Sequence, residues 1–551
     1  MKHGQFPIMA GSDPTLDADP AMESADYQTK SYALIFGSAL DPWSTLGERT
    51  DEVVKKLFRA IWDMRADPAG DNTAIPAGYT YFGQLVTHDI TQFLLTQGGH
   101  GPGSYRDGAS NLSTPALDLD CIYGGGPERD FVLYQPAGSN RHRYLFRTGK
   151  TSEPKLGCET HSEYGGPDDI PRITEDSAGI SGSAGGAGKT PATIPHTGDP
   201  LIADARNDDH LIISQLHLVF IHLHNKCAQL IVDRGHSTKV AFETARRFVT
   251  QCYCDVVKFD YAKRILCRPV FEDFCKDEPE FVRFPDASPL HMQANLLPLE
   301  FTLAAGRFGH AMVRPNYPLN ACVESKGDQS LNQVLDFSGF SDPTSAGLRA
   351  RMPLPSDWVV DWSRFFPLSD ASTVIPSRRI NPFFTYQLAN RRLPQADASD
   401  WRIGHVDHMR SLQLRLPSGQ DFARALQAHA GDRLHVEILR AEEFDMGALR
   451  HGQDRKVNER VNAVLDENSG LKTSTPLLFY ILLESAVRCG GLNLGPVGSF
   501  IVGLTLKRGL PRESNSLRHK VEDMAELFKI LNMKDKDEFI KIIKNTIDFK
   551  F

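Results

Sequence analysis

Apolar residues recur at helical intervals along most of this chain, and few stretches alternate in the manner of a strand. Between Asp51 and Met64 the positions Val53, Val54, Leu57, Phe58, Ile61 and Trp62 form one apolar stripe, which predicts a helix. A second is predicted through Gly78 to Leu95. Across Asn207 to Arg234, Ile212, Leu216, Val219, Leu223, Cys227 and Leu230 are spaced by 4, 3, 4, 4 and 3 residues, the pattern of a long core-facing helix. Further helices are expected through Ser237 to Ile265, Leu296 to Met312, Asp421 to Ala428 and Thr475 to Cys489. The fold class is mainly α, with few short strands.

The pattern fails at three places, and these set the expected organisation: a flexible leader over 1–30, one large domain over 31–510, and a charged amphipathic tail over 511–551. Inside the domain, 177–193 is a Gly- and Ser-rich insertion. It contains Gly188-Lys189-Thr190, but the residue five before Gly188 is Ser183, and Pro191 and Pro195 follow where a helix would have to begin. A phosphate loop is thereby excluded. In the tail, Met524, Leu527, Phe528, Leu531, Phe539, Ile542 and Ile543 form an apolar face, expected to pack on the body or to dock on a partner.

Composition narrows the function classes. The chain has 551 residues, 61 Lys plus Arg against 69 Asp plus Glu, and a net charge of −8, without a basic stripe, so nucleic acid is not the expected partner. Apolar runs such as Leu477 to Leu483 and Phe500 to Leu506 fall well short of the ~20 residues of a spanning helix, and no transmembrane segment is expected. Nine scattered cysteines read as free thiols in a reducing compartment, and the amino terminus lacks a signal-peptide run; both favour the cytoplasm, though secretion by another route stays open.

Three segments could carry chemistry. In Tyr81-Phe-Gly-Gln-Leu-Val-Thr-His-Asp-Ile90, Gln84 and His88 are one helical turn apart and face one pocket, while Asp89 is turned about 100° away. In Thr114-Pro-Ala-Leu-Asp-Leu-Asp120, positions 114, 116, 118 and 120 point the same way if the run is extended. With Asp89 they could wrap a hard cation, Ca²⁺ by the number and type of oxygens. In Leu303-Ala-Ala-Gly-Arg-Phe-Gly-His310, Leu303, Arg307 and His310 share a helix face, and Gly306 and Gly309 leave room for a flat ligand. A neutral imidazole there can ligate iron, and Arg307 can pair with a carboxylate at the ligand's edge. His217, His222 and His224 read as structural.

These segments, in this order, resemble the animal-type haem peroxidases of the peroxidase and cyclooxygenase superfamily. The Gly-Gln-x-x-x-His-Asp run is similar to their distal helix, Thr114 to Gly124 to their calcium loop, and Phe301 to His310 to their proximal helix. Asp169-Ile-Pro-Arg172 and Ala203-Asp-Ala-Arg-Asn-Asp-Asp209, with Leu216 to Asn225, resemble the segment bearing the catalytic arginine. Leu416 to Gln420, Pro476 to Tyr480 and Gly490 to Gly498 look like bacterial members. The resemblance spans roughly residues 30–510.

It implies a haem between distal and proximal helices, with His88 as distal base, Gln84 beside it, Arg206 as distal arginine and His310 as iron ligand. Arg307 and Arg410 would bind haem propionates. Asp407 would accept the His310 N–H where the family has Asn. Asp89, Thr114, the Ala116 carbonyl, Asp118 and Asp120 would hold Ca²⁺. Thr87 and His210 stand where the mammalian enzymes link covalently to haem, so the implied cofactor is haem b with at most one ester, through Asp209. The implied activity is reduction of hydrogen peroxide with oxidation of a small phenolic or halide donor, as part of a response to oxidative stress. A fatty-acid dioxygenase of the same superfamily is the first alternative, but those enzymes use a tyrosine three residues before the proximal His, where this chain has Arg307. A catalytically quiet haem-fold adhesion protein is the second.

Overall fold

A computed structural model describes residues 32–36, 50–62, 70–95, 109–136, 142–158, 168–174, 198–286, 288–293, 295–327, 330–336, 353–369, 373–389, 403, 408, 414–449, 455–511 and 521–546. The expected leader, the 177–193 insertion, Asp407 and Arg410 lie outside them. The elements used below are α1 (Thr50–Trp62), α2 (Gly78–Ile90), α3 (Leu211–Asp233), α4 (Thr238–Asp255), α5 (Leu299–Leu303), α6 (Gly419–Ala430), α7 (Arg455–Glu467), α8 (Leu477–Cys489), α9 (Pro496–Gly509), α10 (Met524–Asn532) and α11 (Lys536–Thr546). Strands among the described residues are short and pair in twos: β1 (Tyr32–Ala33) with β7 (Leu297–Pro298), β2 (Asp71–Pro76) with β8 (Pro376–Arg378), β3 (Phe93–Leu95) with β4 (Ala109–Asn111), and β5 (Gly149–Lys150) with β6 (Asp168–Asp169). The mainly α expectation holds.

Apolar burial decides where helices form, and local capping decides where they stop. Val54, Leu57, Phe58 and Ile61 of α1 are buried, and α1 packs on α7. The long α3 starts at Leu211 rather than Asn207, because Ala205–Asp208 form a separate 3₁₀ turn and His210 caps the helix, its Nδ1 accepting from the Ile213 amide at 3.2 Å. Ser237 caps α4 by accepting from the Val240 amide.

Two expected helices are interrupted. The one from Gly78 ends at Ile90, since Thr91 is extended and the Gln92 amide donates to Asn111 Oδ1, opening the β3–β4 ribbon. The one through Leu296 to Met312 breaks at Ala304, where φ is −132° and ψ −78°, into α5 and a 3₁₀ helix over Ala305–Met312. That 3₁₀ segment packs against α2, α8 and α9.

The tail folds back. The Val521 amide donates to Asp255 Oδ2 at 3.0 Å and the Met524 amide to Asp260 Oδ2 at 3.2 Å. The Phe528 ring sits 6.0 Å from both Trp362 and Phe366, and Phe539 lies 5.9 Å from Phe248. Met524, Leu527, Phe528, Phe539 and Ile543 are buried on the chain's own body, the first of the two expected arrangements, and docking of this face on a partner finds no support.

The reading of nine free thiols is corrected at one pair. Cys158 and Cys322, 164 residues apart in sequence with Cα atoms at 5.9 Å, form a disulfide, a pairing that no local spacing could reveal. The other seven are thiols, five of them buried. A disulfide suits an oxidising compartment, so the cysteines no longer favour a cytoplasmic address. Among the described residues no helix is long and apolar enough to cross a membrane.

Behind the 3₁₀ segment, Glu484 of α8 is fully buried and accepts from the Val497 and Gly498 amides at the start of α9. Burial pushes its carboxyl up to about 8, against the pull of those amides. A folded-state value above the unfolded one means that the folded chain keeps a proton the unfolded chain has lost. Stability should therefore fall as pH rises from about 4.5 to about 8, by at most about 1.4 kcal/mol per pH unit from this group. Glu484→Gln should flatten that part of a denaturant-melt series against pH; an unchanged slope would assign the effect elsewhere.

Candidate active site

α2 is buried on almost every side; only Gln84 and Thr87 keep partial access. The Thr87 hydroxyl turns back to donate to the Gly83 carbonyl at 2.9 Å. Gln84 Oε1 meets His210 Nε2 at 2.9 Å. Because His210 Nδ1 already accepts from the Ile213 amide, His210 Nε2 is the donor, and the Gln84 amide is oriented with its NH₂ pointing away from His210.

One turn after Gln84, His88 is 4% exposed, with Nδ1 2.9 Å from Asn207 Oδ1. Burial, helped by the Arg206 charge, pushes the imidazole down to about 4, so it is neutral in ordinary buffers. Arg206 follows from the 3₁₀ turn at Ala205–Asp208. Its Nη2 donates to the His88 carbonyl at 2.9 Å and its Nη1 to the Thr91 carbonyl at 2.7 Å, while Nε bonds to Asp204 at 3.0 Å. Burial alone would raise the Asp204 carboxyl, but Arg206 outweighs it and brings it down to about 2. Asp209 is buried beside His210 and within electrostatic reach of His88 and Arg206. The Asp169 to Arg172 segment supports this turn: buried Arg172 donates to Asp169 at 2.8 Å and to both oxygens of Asp208 at 2.8 and 3.0 Å.

On the other wall, Arg307 and His310 are three apart in the 3₁₀ helix and therefore lie on one face. The break at Ala304 removes Leu303 from it. Gly306, Arg307, Gly309 and His310 keep partial access, while Ala305, Phe308, Ala311 and Met312 are buried. A Cβ added to Gly309 would meet nothing within 4 Å, whereas one on Gly306 would lie 2.9 Å from the Phe301 carbonyl. Open space thus borders Gly309, and Gly306 is needed for packing. Arg307 Nε donates to the Thr302 carbonyl, and the His310 ring lies edge-on to Phe384 at 5.9 Å. Buried Tyr32, whose hydroxyl donates to Asn111 at 3.3 Å, is within electrostatic reach of both Arg206 and Arg307, so the two walls converge on it. The partly accessible strip on each wall and the gap at Gly309 fit a flat porphyrin.

Asp89 points away from this pocket. Both of its carboxylate oxygens are buried without a hydrogen-bond partner among the described residues. One carboxylate oxygen each of Asp89, Asp118 and Asp120 lies within 4.8 Å of the others. Asp118 Oδ1 accepts from the Thr114 hydroxyl at 3.0 Å, and Asp120 Oδ2 from the Thr114 amide at 2.7 Å. The expected extended run is instead a bent loop containing Ala116, and Leu119 in the left-handed region (φ 58°) turns Asp118 and Asp120 toward Asp89. Burial, then the neighbouring carboxylates, raise Asp89 well above the usual carboxylate range, and burial takes Asp120 up to about 7. Uncompensated oxygens in this number fit a hard divalent cation.

Sequence reasoning passed over Asn207, Asp204 and Tyr32. Asn207 and Asp204 flank Arg206 in the run already singled out, but nothing in periodicity says which neighbours of an arginine face a histidine. Tyr32 sits on a two-residue strand with no pattern of its own.

Residues 182–345 match the family model described as animal haem peroxidase. No curated protein matches the chain by sequence. Among solved structures, peroxidase A from Dictyostelium discoideum is similar at 12% identity and TM-score 0.50, over 95% of this chain and 91% of that one. A fatty acid alpha-dioxygenase from Oryza sativa is similar at 12% identity and TM-score 0.52, over 94% and 82%, and one from Arabidopsis thaliana at 13% and 0.52, over 96% and 80%. These likenesses establish the fold. Residues 182–345 are thus similar to an animal haem peroxidase domain, and the fold is similar to that of a peroxidase and of two fatty acid alpha-dioxygenases.

The acidic cluster makes a direct prediction. Calcium at about 100 times its dissociation constant should stabilise the native chain by about 2.7 kcal/mol, read as a rise in Tm that a chelator reverses. Asp89→Asn should melt no lower than the native chain without calcium, because the buried carboxyl makes no hydrogen bond that the amide would forfeit, and should lose the calcium-dependent rise. An equal rise in both proteins would remove Asp89 from the site.

Proposed function

We propose that this chain is a haem-dependent peroxidase that reduces hydrogen peroxide and oxidises small organic donors. The observation that carries the reading is the buried, neutral imidazole of His88, fixed at Nδ1 by Asn207 and at its backbone by Arg206, on a helix packed against the segment bearing His310. When bound, haem b would supply the iron that accepts peroxide oxygen and the electrons that break the O–O bond. His310 would hold it from one face and Arg307 would pair with a propionate; Arg410 and Asp407 would complete that side. With Thr87 turned onto its own helix and His210 bonded to Gln84, haem would be held without covalent links, or with one ester at Asp209.

The chain's own chemistry then follows from charge. Neutral His88 would take the proton from one peroxide oxygen and return it to the other, which would leave as water. Arg206 directs most of its donors at Asp204 and the end of α2, so it acts mainly by holding His88, while its charge favours the negative charge that develops on the departing oxygen. Gln84 presents its NH₂ as a donor beside the same site. Asp89, Thr114, the Ala116 carbonyl, Asp118 and Asp120 would bind Ca²⁺ at the back of the helix end.

A dioxygenase acting on fatty acids is the competing reading on this fold. Arg307 separates the two, since a guanidinium cannot form the phenoxyl radical that the tyrosine at this position provides in those enzymes. The purified protein loaded with haem should show a Soret band that changes on adding peroxide, and should turn over a phenol. His88→Ala should keep the band and slow that change roughly 10²- to 10⁴-fold; His310→Ala should lose the haem. Consumption of oxygen with a fatty acid, without peroxide-dependent phenol oxidation, would replace this reading by the dioxygenase one.

A further inference from the structure

Asn207 makes three side-chain contacts in the buried interior. Its Nδ2 lies 3.2 Å from the Cys121 carbonyl and 3.0 Å from His217 Nδ1, and its Oδ1 lies 2.9 Å from His88 Nδ1. A carbonyl oxygen can only accept, so the atom facing Cys121 is the amide nitrogen and the atom facing His88 is the amide oxygen. An amide oxygen can only accept as well, so His88 Nδ1 carries the hydrogen. The lone pair of His88 is therefore on Nε2. The second Nδ2 hydrogen goes to His217 Nδ1, which must be bare, so one fixed carbonyl sets the orientation of the amide and the tautomers of two imidazoles.

We infer that Asn207 is the positioning residue that locks His88 in its Nδ1–H tautomer, with Nε2 as the basic atom, and that His217 and the Cys121 carbonyl lock Asn207. Its role as an aid to proton transfer rests on the peroxidase reading; the tautomer itself does not. The backbone of Asn207 is held independently, its amide donating to the Asp204 carbonyl at 3.0 Å. Position 207 thus follows directly from the turn that places Arg206, so one four-residue 3₁₀ turn sets both the His88 carbonyl and the His88 ring.

The test begins on the unmodified protein. The full-length chain, labelled with ¹⁵N-histidine and held in its diamagnetic ferrous carbon monoxide form, should show a His88 resonance pair with a protonated Nδ1 and a pyridine-like Nε2, identified by its disappearance in His88→Ala. The opposite pattern would overturn the inference without any variant having to fold. Asn207→Leu, branched at the same carbon but unable to bond, should then show a mixed or inverted tautomer and slow the peroxide-induced Soret change roughly 10- to 100-fold, with haem content unchanged. Asn207→Leu with the native tautomer would also overturn it. If the tautomer is as inferred in the native chain but no peroxide reaction occurs, the peroxidase reading falls and the locking role of Asn207 stands.

Discussion

The last turn of α2 ends in carbonyls with no partners inside the helix, and the guanidinium of Arg206 donates to two of them, those of His88 and Thr91. A cation at a helix C-terminus is favoured by the backbone dipole as well as by the hydrogen bonds themselves. Burying that cation requires a counter-charge, and Asp204, two residues away, accepts from Nε and Nη2. Losing one partner of a buried pair typically costs about 3–5 kcal/mol, so the position of the helix end is strongly determined.

From that fixed end, consecutive residues face opposite ways. His88 points at Asn207 and toward the Gln84 side, where the pocket keeps access; Asp89 points at Asp118 and Asp120. The two sites are mechanically one. A cation bound to Asp89 would hold the same turn from behind that Arg206 holds from its end, which gives a metal distant from the reacting atoms a way to steady the imidazole. The 3₁₀ segment across the pocket is set differently, by packing against α2, α8 and α9 around the buried face of Phe308, Ala311 and Met312.

Much of this was legible in the chain itself. The apolar periodicity located α1, α2, α3 and α8, and the i, i+4 relation of Gln84 and His88 survived intact. What failed depended on non-local partners. The end of α2 at Ile90 is set by Asn111 on the neighbouring ribbon strand, and the backbone turns at Ala304 and Leu119 left no mark in the apolar pattern. The disulfide between Cys158 and Cys322 belongs to the same class, as does Arg206: its type signalled charge, and only the folded chain showed that its donors are divided between Asp204 and two carbonyls of α2's end. The tail's apolar face was correctly located, but its occupant, the surface around Trp362, Phe366 and Phe248, could not be read from the tail.

The central proposal is that the imidazoles at 88 and 310 would hold one haem between them. Diffraction from crystals of the haem-loaded protein at the iron absorption edge would test this most directly. The account predicts a single strong anomalous peak within bonding distance of the His310 ring, with the His88 ring across the porphyrin from it. A peak bound by a different residue, or both rings on one side of the porphyrin, would contradict it.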